Sequence, residues 1–163
     1  MIGMTSSKIG SKWFEYSVRV QPHHTDYGGV VWHGTYITWL ESARVECLRA
    51  AGIPFDRLVN LGYDLPVVAL EIRYQQPLTL GMAAVVRTRL APMKGLRLIW
   101  LYEVVADAEN AFANTQKDTN QSPQVYLSAQ VTLVTVGMRD RKVVRRLPDS
   151  VAAIIEQIYS YFD

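Results

Sequence analysis

Cysteine is almost missing from this chain. Cys47 stands alone among 163 residues, which excludes an internal disulfide and fits a reducing, cytoplasmic setting. Long apolar runs are missing as well. Nothing approaches the roughly 18 consecutive apolar residues needed to cross a bilayer, so no membrane span is expected. The start, "MIGMTSSKIGSKWF", lacks the apolar core of a secretory leader, and none is expected there. Charge of one sign is scarce too. A net +2 is too small to argue for nucleic acid as a partner, although local basic clusters can still hold phosphates. Internal repeats and a second domain boundary are likewise absent.

What is present is a globular composition, 49% hydrophobic and 20% charged, in a chain of single-domain length. The expectation is one domain over 1–163, with a core of about 14–147 and a closing helix of about 149–162. Phe14, Tyr16, Val18 and Val20 alternate with Glu15, Ser17, Arg19 and Gln21, the period of a half-buried strand. Past "TDYGGV" the period becomes helical, with Tyr36, Trp39, Leu40, Ala43, Cys47, Ala50 and Ala51 on one stripe. Glu41, Arg44 and Glu46 fall away from its centre, and Gly52 with Pro54 stops it. Cys47 on that stripe reads as a buried structural thiol rather than a nucleophile.

"PFDRLVNLG" reads as a short second helix. Four β-branched and aromatic segments follow as strands: "LPVVALEIRYQQP", "AAVVRTRLAP", "GLRLIWLYEVVAD" and "QVYLSAQVTLVTVG". The polar stretch at about 107–123 reads as a long loop and "RKVVRRLP" as a short edge strand. Val151, Ile154, Ile155, Ile158 and Phe162 restore helical spacing at the end. Strands joined by short connections favour an antiparallel sheet, with the long helix covering its apolar face; the class is α+β.

The chemistry-bearing residues cluster in "HTDYGGVVWHGTYITWLESARVE". Asp26 has two readings. It can be an ordinary turn residue whose side chain bonds nearby amides. It can also be a carboxylate aimed at a ligand. Gly28 and Gly29 allow close approach to the main chain, and the helix start offers unpaired N–H groups suited to a developing oxyanion. A metal held by His23, His24, Asp26 and His33 is not expected, because neighbouring histidines on a strand end point to opposite sides. Trp32, Tyr36, Trp39 and Tyr63 either shape an aromatic pocket or simply pack.

These residues resemble the signature of the 4-hydroxybenzoyl-CoA thioesterase family, acyl-CoA thioesterases of the hotdog fold. The shared pattern runs through Asp26, Gly29, Val30, Val31, Trp32, His33, Tyr36, Glu41, Ala43 and Arg44, and continues with Tyr74, Pro77 and Gly81 in "ALEIRYQQPLTLG". The likeness spans about residues 14–147. It implies a hotdog fold, an antiparallel sheet around a long central helix. It also implies that Asp26 attacks a thioester carbonyl or activates a water, while the backbone amide at His33 polarises that carbonyl. The His33 side chain either orients the substrate or merely packs. Glu41 belongs to the pattern and is not assigned a catalytic role. Substrate contacts are expected from Gly29, Val30, Trp32, Gly34 and Tyr36.

Lys94 and Arg97 in "PMKGLR", with Arg139 and Arg141 in "GMRDRK", are candidates for the phosphates of CoA. No cofactor is expected, since CoA is part of the substrate. The resemblance further implies a homodimer joined edge to edge, or a tetramer, with the sites at the subunit interface. Two alternatives remain open: hydrolysis of acyl groups on a carrier protein, and a non-catalytic module that binds acyl-CoA. Two features depart from the family: Pro22 stands where some members have a tyrosine, and the 107–123 insertion is long.

Overall fold

The computed structural model describes residues 12–107 and 123–163. The amino-terminal stretch, and the 107–123 insertion apart from its two ends, lie outside them. Strand β1 (Phe14–Arg19) is followed by a 3-10 turn (Pro22–His24), the 18-residue helix α1 (His33–Ala50) and the one-turn helix α2 (Arg57–Asn60). Then come β2 (Tyr63–Asp64), β3 (Val67–Tyr74), β4 (Ala83–Leu90), β5 (Leu98–Ala106), β6 (Val125–Leu133) and β7 (Val136–Gly137). Helix α3 (Asp149–Phe162) closes the chain.

Five strands form an antiparallel sheet in the order β1-β4-β5-β6-β3, while β2 and β7 pair as a small ribbon. The period-two pattern explains the layering. On β4, Ala84, Val86, Thr88 and Leu90 are buried, while Val85, Arg87 and Arg89 are only partly covered. The inward side chains meet the stripe of α1. Tyr36, Trp39, Leu40, Ala43 and Cys47 share one core with Trp100, Tyr102, Val104, Leu127 and Val131. Each fully buried large side chain contributes about 1.5–3 kcal/mol of transfer free energy, so this one seam dominates the stability. Helix α3 adds Val151, Ile154, Ile155, Ile158 and Phe162 to the same core. A long helix held against one face of an antiparallel sheet is the α+β hotdog arrangement that the resemblance implies.

Connectivity gives the sheet two distinct ends. β1 rises to Arg19 beside Ala83, the first residue of β4, and β3 ends at Tyr74 before residues 75–82 cross over to β4. The Asp26 turn sits at this end, tied to the crossover by the Val30–Thr79 bridge and by Val31 N donating to Leu78 O at 2.9 Å. The opposite end carries the β4–β5 turn, the β2–β7 ribbon, α2 and the last turn of α1.

The segment "RKVVRRLP" forms no edge strand. Only Val143 bridges to Val136, and Val144 N then bonds Thr135 O before Pro148 opens α3. The segment "QVYLSAQVTLVTVG" is likewise split into β6 and β7. No helix among the described residues is long and apolar enough to cross a membrane.

Candidate functional site

Asp26 closes its own turn. Oδ1 accepts from the Gly28 amide at 2.9 Å and from the Val30 amide at 3.2 Å. Two main-chain bonds complete the loop, Asp26 N to Val30 O at 2.8 Å and Gly29 N to Asp26 O at 3.0 Å. Gly29 has φ +76, the left-handed region that costs a β-carbon dearly, so this position needs glycine. Both bonds to the carboxylate fall on Oδ1; no described donor bonds Oδ2, and Asp26 is exposed. The turn reading of Asp26 is therefore correct, and it still leaves one carboxylate oxygen free to act.

Three residues after Val30 the helix begins. Trp32 is the N-cap of α1 and no side chain caps the first turn, so the amides of His33 and Gly34 lack an intrahelical partner. The orientation of this helix start is fixed by His24. Its carbonyl accepts from Trp32 N at 3.3 Å and from Thr35 Oγ1 at 3.0 Å. Its ring Nδ1 accepts from Gln21 N at 2.9 Å, and its edge meets Trp39 with ring centres 5.1 Å apart. Burial, and then the neighbouring His23 charge, push the His24 imidazole below its ordinary value of 6.5.

His23 and His24 lie on the 3-10 turn rather than on a strand, with ring centroids 4.1 Å apart. The expectation that they point to opposite sides is thus wrong, because the helical turn rotates successive side chains by far less than a strand does. Sequence reading also overlooked His24 and Thr35 as anchors of the helix start. Their side chains carried a signal only as polar residues beside the motif.

The expected contact residues fall into two groups. Gly29, Val30, Trp32, His33 and Gly34 gather around the turn and helix start. Trp32 is 45% exposed, and its ring meets the exposed His33 edge-on with centroids 5.1 Å apart. The indole lies back over Gly34, where a β-carbon would collide with the six-membered ring of Trp32. Glycine at 34 is what lets the indole take this position. Tyr36, by contrast, is a core residue, 3% exposed, edge-on to Trp39 and tilted against Tyr74. Burial raises its phenol above the usual range. Trp39 is buried as well, so of the four aromatics only Trp32 borders the turn openly; Tyr63 lies on β2 at the other end of the sheet.

Lys94 and Arg97 bridge each other in the β4–β5 turn. That turn is separated from the Asp26 end by the length of β4, roughly 23 Å at ~3.3 Å per residue. One protomer therefore does not bring them to Asp26. Arg139 and Arg141 share the same distant end.

Beside Trp32 a cleft of about 520 Å³ opens between β1 and α1, lined by Ser17, Arg19, His23, His24, Trp32 and Thr38 among others. Periodicity places Ser17 and Arg19 on β1 and Thr38 on α1 but does not reveal that the two faces meet. Arg44 is a correction of another kind. Its spacing set it off the apolar stripe, yet it is 7% exposed, donating to Tyr102 Oη at 3.0 Å and paired with Glu41 at 2.5 Å.

A family model described as the thioesterase-like superfamily matches residues 20–155. A Synechocystis protein, named only provisionally as an esterase, is 46% identical over 140 residues, 86% of this chain and 76% of the relative. The acyl-CoA thioester hydrolase YbgC of Escherichia coli is 30% identical over 144 residues, 88% of this chain and 96% of the relative. Among solved structures, a 1,4-dihydroxy-2-naphthoyl-CoA thioesterase of Synechocystis aligns with TM-score 0.69 and 21% identity, covering 88% of this chain and 96% of that one. At that identity it speaks for the fold alone.

Proposed function

Because the chain belongs to the thioesterase-like superfamily, we propose that it hydrolyses an acyl-CoA thioester to the free acid and CoA, with Asp26 as the reacting carboxylate. The observation that carries this reading is the turn itself. It fixes Asp26 through Oδ1, leaves Oδ2 without a donor among the described residues, and stands beside an uncapped helix start. An acyl-CoA thioester hydrolase among the relatives supports the same reaction class.

In the reaction the thioester oxygen takes the amides of the first turn, His33's among them, where the helix dipole favours negative charge. Asp26 then acts in one of two ways. As general base it accepts a proton from water, whose oxygen adds to the carbonyl carbon. As nucleophile it adds directly, giving a mixed anhydride that water opens. Either way the C–S bond breaks and CoA leaves as a thiolate. An ordinary thiol ionises near pH ~8.5, so this leaving group needs no strong acid. Gly29, Val30, Trp32 and Gly34 border the acyl group. No cofactor takes part, and CoA enters as substrate. A lone buried thiol suits a reducing, cytoplasmic location.

The reading includes a homodimer joined along β3. This strand is a sheet edge on which every residue except Ile72 is exposed, with Val67, Val68, Leu70 and Tyr74 between 40% and 55%. An apolar edge of that length calls for cover. Asp26→Asn keeps an acceptor for the Gly28 and Val30 amides and removes the ionised group. Hydrolysis of aromatic, short and long acyl-CoAs, followed with a thiol-detecting reagent, is expected to fall roughly 10²–10⁴-fold with the fold intact. Turnover at the wild-type rate by this variant would remove Asp26 from the mechanism. Parallel assays with carrier-bound thioesters separate the two thioester classes, and tight acyl-CoA binding without thiol release would identify a binding module instead.

A further inference from the structure

The cleft between β1 and α1 opens directly beside the Asp26 turn. Trp32 belongs to both places. It is the N-cap of α1, its indole lies over Gly34 in the first turn, and it lines one end of the cleft. From there the cleft follows α1 as far as Ser42, about 15 Å at ~1.5 Å per residue. Trp39 is buried at its base, and Ser17 and Arg19 of β1 form the opposite bank.

The lining is chemically one-sided. Arg19, His23 and His24 stand in it with several serine and threonine hydroxyls, and no aspartate or glutamate among the described residues lines it. The apolar cavity between α1, α2 and α3 differs, for Glu41 and Asp64 are part of its wall. The acids of β1 and α1 turn away from the cleft or stand past its far end. Glu41 pairs with Arg44, Glu15 lies two residues along β1 from Ser17, and Glu46 lies one turn beyond Ser42, paired with Arg49 at 3.5 Å. Asp26, three residues after His23, has Oδ1 engaged within its own turn.

The positive charge is concentrated at the near end. Arg19 is the last residue of β1, and its Nη1 donates to Gly81 O at 2.9 Å, which holds the guanidinium at the crossover beside the Asp26 turn. A guanidinium carries five N–H donors, so one anchored through a single nitrogen still grips a carboxylate. His23 is exposed on the 3-10 turn and offers a ring N–H. The hydroxyls of Ser17 and Ser42 have no bonding partner among the described residues. An anion is the group that such a wall accepts. Position decides which anion. The phosphates of CoA hang at the far end of the pantetheine arm, away from the thioester carbonyl. A carboxylate a few carbons into the acyl chain stays close to that carbonyl, at the depth of Arg19 and His23.

We propose that the β1–α1 cleft is the acyl site, and that it selects short acyl groups ending in a carboxylate, half-thioesters of dicarboxylic acids, gripped by Arg19 and His23. This rests on the thioesterase reading and needs only one chain. Trp32 covers the methylenes between the two ends of the acyl group, and Ser17 with Ser42 bounds the length it can reach. An uncharged aliphatic group leaves Arg19 and the hydroxyls unpaired and binds less well.

The test compares acyl groups matched in carbon count, glutaryl-CoA against pentanoyl-CoA and adipyl-CoA against hexanoyl-CoA, after subtraction of spontaneous hydrolysis. In the wild type the dicarboxylic member of each pair is expected to have a kcat/KM about tenfold higher or more, the worth of one charge-assisted hydrogen bond. In Arg19→Gln, which keeps a donor for Gly81 O, that ratio should fall towards one, and in Arg19→Gln with His23→Gln it should reach it. Ser42→Asp adds an acid to the wall without touching either residue and should lower the ratio as well. Equal ratios in the wild type overturn the proposal and leave the hydrolase standing; so does a preference that survives in the double variant. A rise in KM for both members of a pair alike would assign Arg19 and His23 to CoA, which also overturns it. If no thioester is cleaved, calorimetric titration separates the two readings. Tighter binding of adipyl-CoA than of hexanoyl-CoA, lost in Arg19→Gln, would retain the cleft and discard the hydrolase.

Discussion

Asp26 divides its carboxylate between two tasks, Oδ1 holding the turn and Oδ2 standing open, and both depend on contacts within four residues of chain. That shortness is why the motif could be read from sequence: the acid, Gly29 and the helix start are neighbours before they fold. His24 behaves differently. Its imidazole accepts from Gln21 N and lies against Trp39, fifteen positions away, a contact that no local pattern announces. The folded protein holds its pKa below the unfolded value of 6.5, so protons bind more readily to the unfolded chain in the interval between the two. The stabilising contribution is thus complete above 6.5 and is lost as pH falls through that interval. Melting temperature measured from about pH 8 down to about pH 5 should fall, and His24→Asn should make the fall shallower. Asparagine keeps an acceptor for Gln21 N and has no titrating ring. An equally steep fall in the variant would rule His24 out as a source.

Helix α1 is where spacing rules succeed and then mislead. Its apolar stripe is buried as expected, and α3 likewise covers the residues that its spacing marked, 149–162. α1 starts at His33, the position the motif marks for it, three residues ahead of Tyr36, the first residue of the stripe. Arg44 was misplaced because its burial depends on Tyr102, 58 positions later and on another element. Tyr102 is fully covered, and burial raises its phenol despite the guanidinium alongside. Glu41, whose side chain is 58% exposed, tolerates loss of its partner, so removing Arg44 leaves no stranded buried anion. Arg44→Ala is expected to cost about 2 kcal/mol, mostly through lost packing of the long side chain. Arg44→Met restores that packing and should come within about 1 kcal/mol of wild type. Urea unfolding of the two variants measures the difference. Equal losses would mean that the charge, not the packing, matters at this position.

For the whole molecule, the edge at β3 is the feature on which the proposed dimer rests. Period two predicted the strand, but an edge strand and a central one look alike in a pattern of apolar residues. Only the sheet order shows that β1 and β3 are its two edges. Leu70→Lys places two like charges near the two-fold axis of the proposed dimer, where they repel across the joint. Sedimentation of this variant should report the mass of one chain, and thioester hydrolysis should fall with it. A variant that sediments like wild type would refute the β3 joint. The one cysteine brings a practical consequence. Cys47 is fully covered, and burial pushes its thiol up to about 12, so it presents neither access nor thiolate to a thiol reagent at neutral pH. In an assay that counts released CoA, every colour-forming sulfhydryl then belongs to product, and a slow protein-derived signal becomes a built-in alarm that the core has opened.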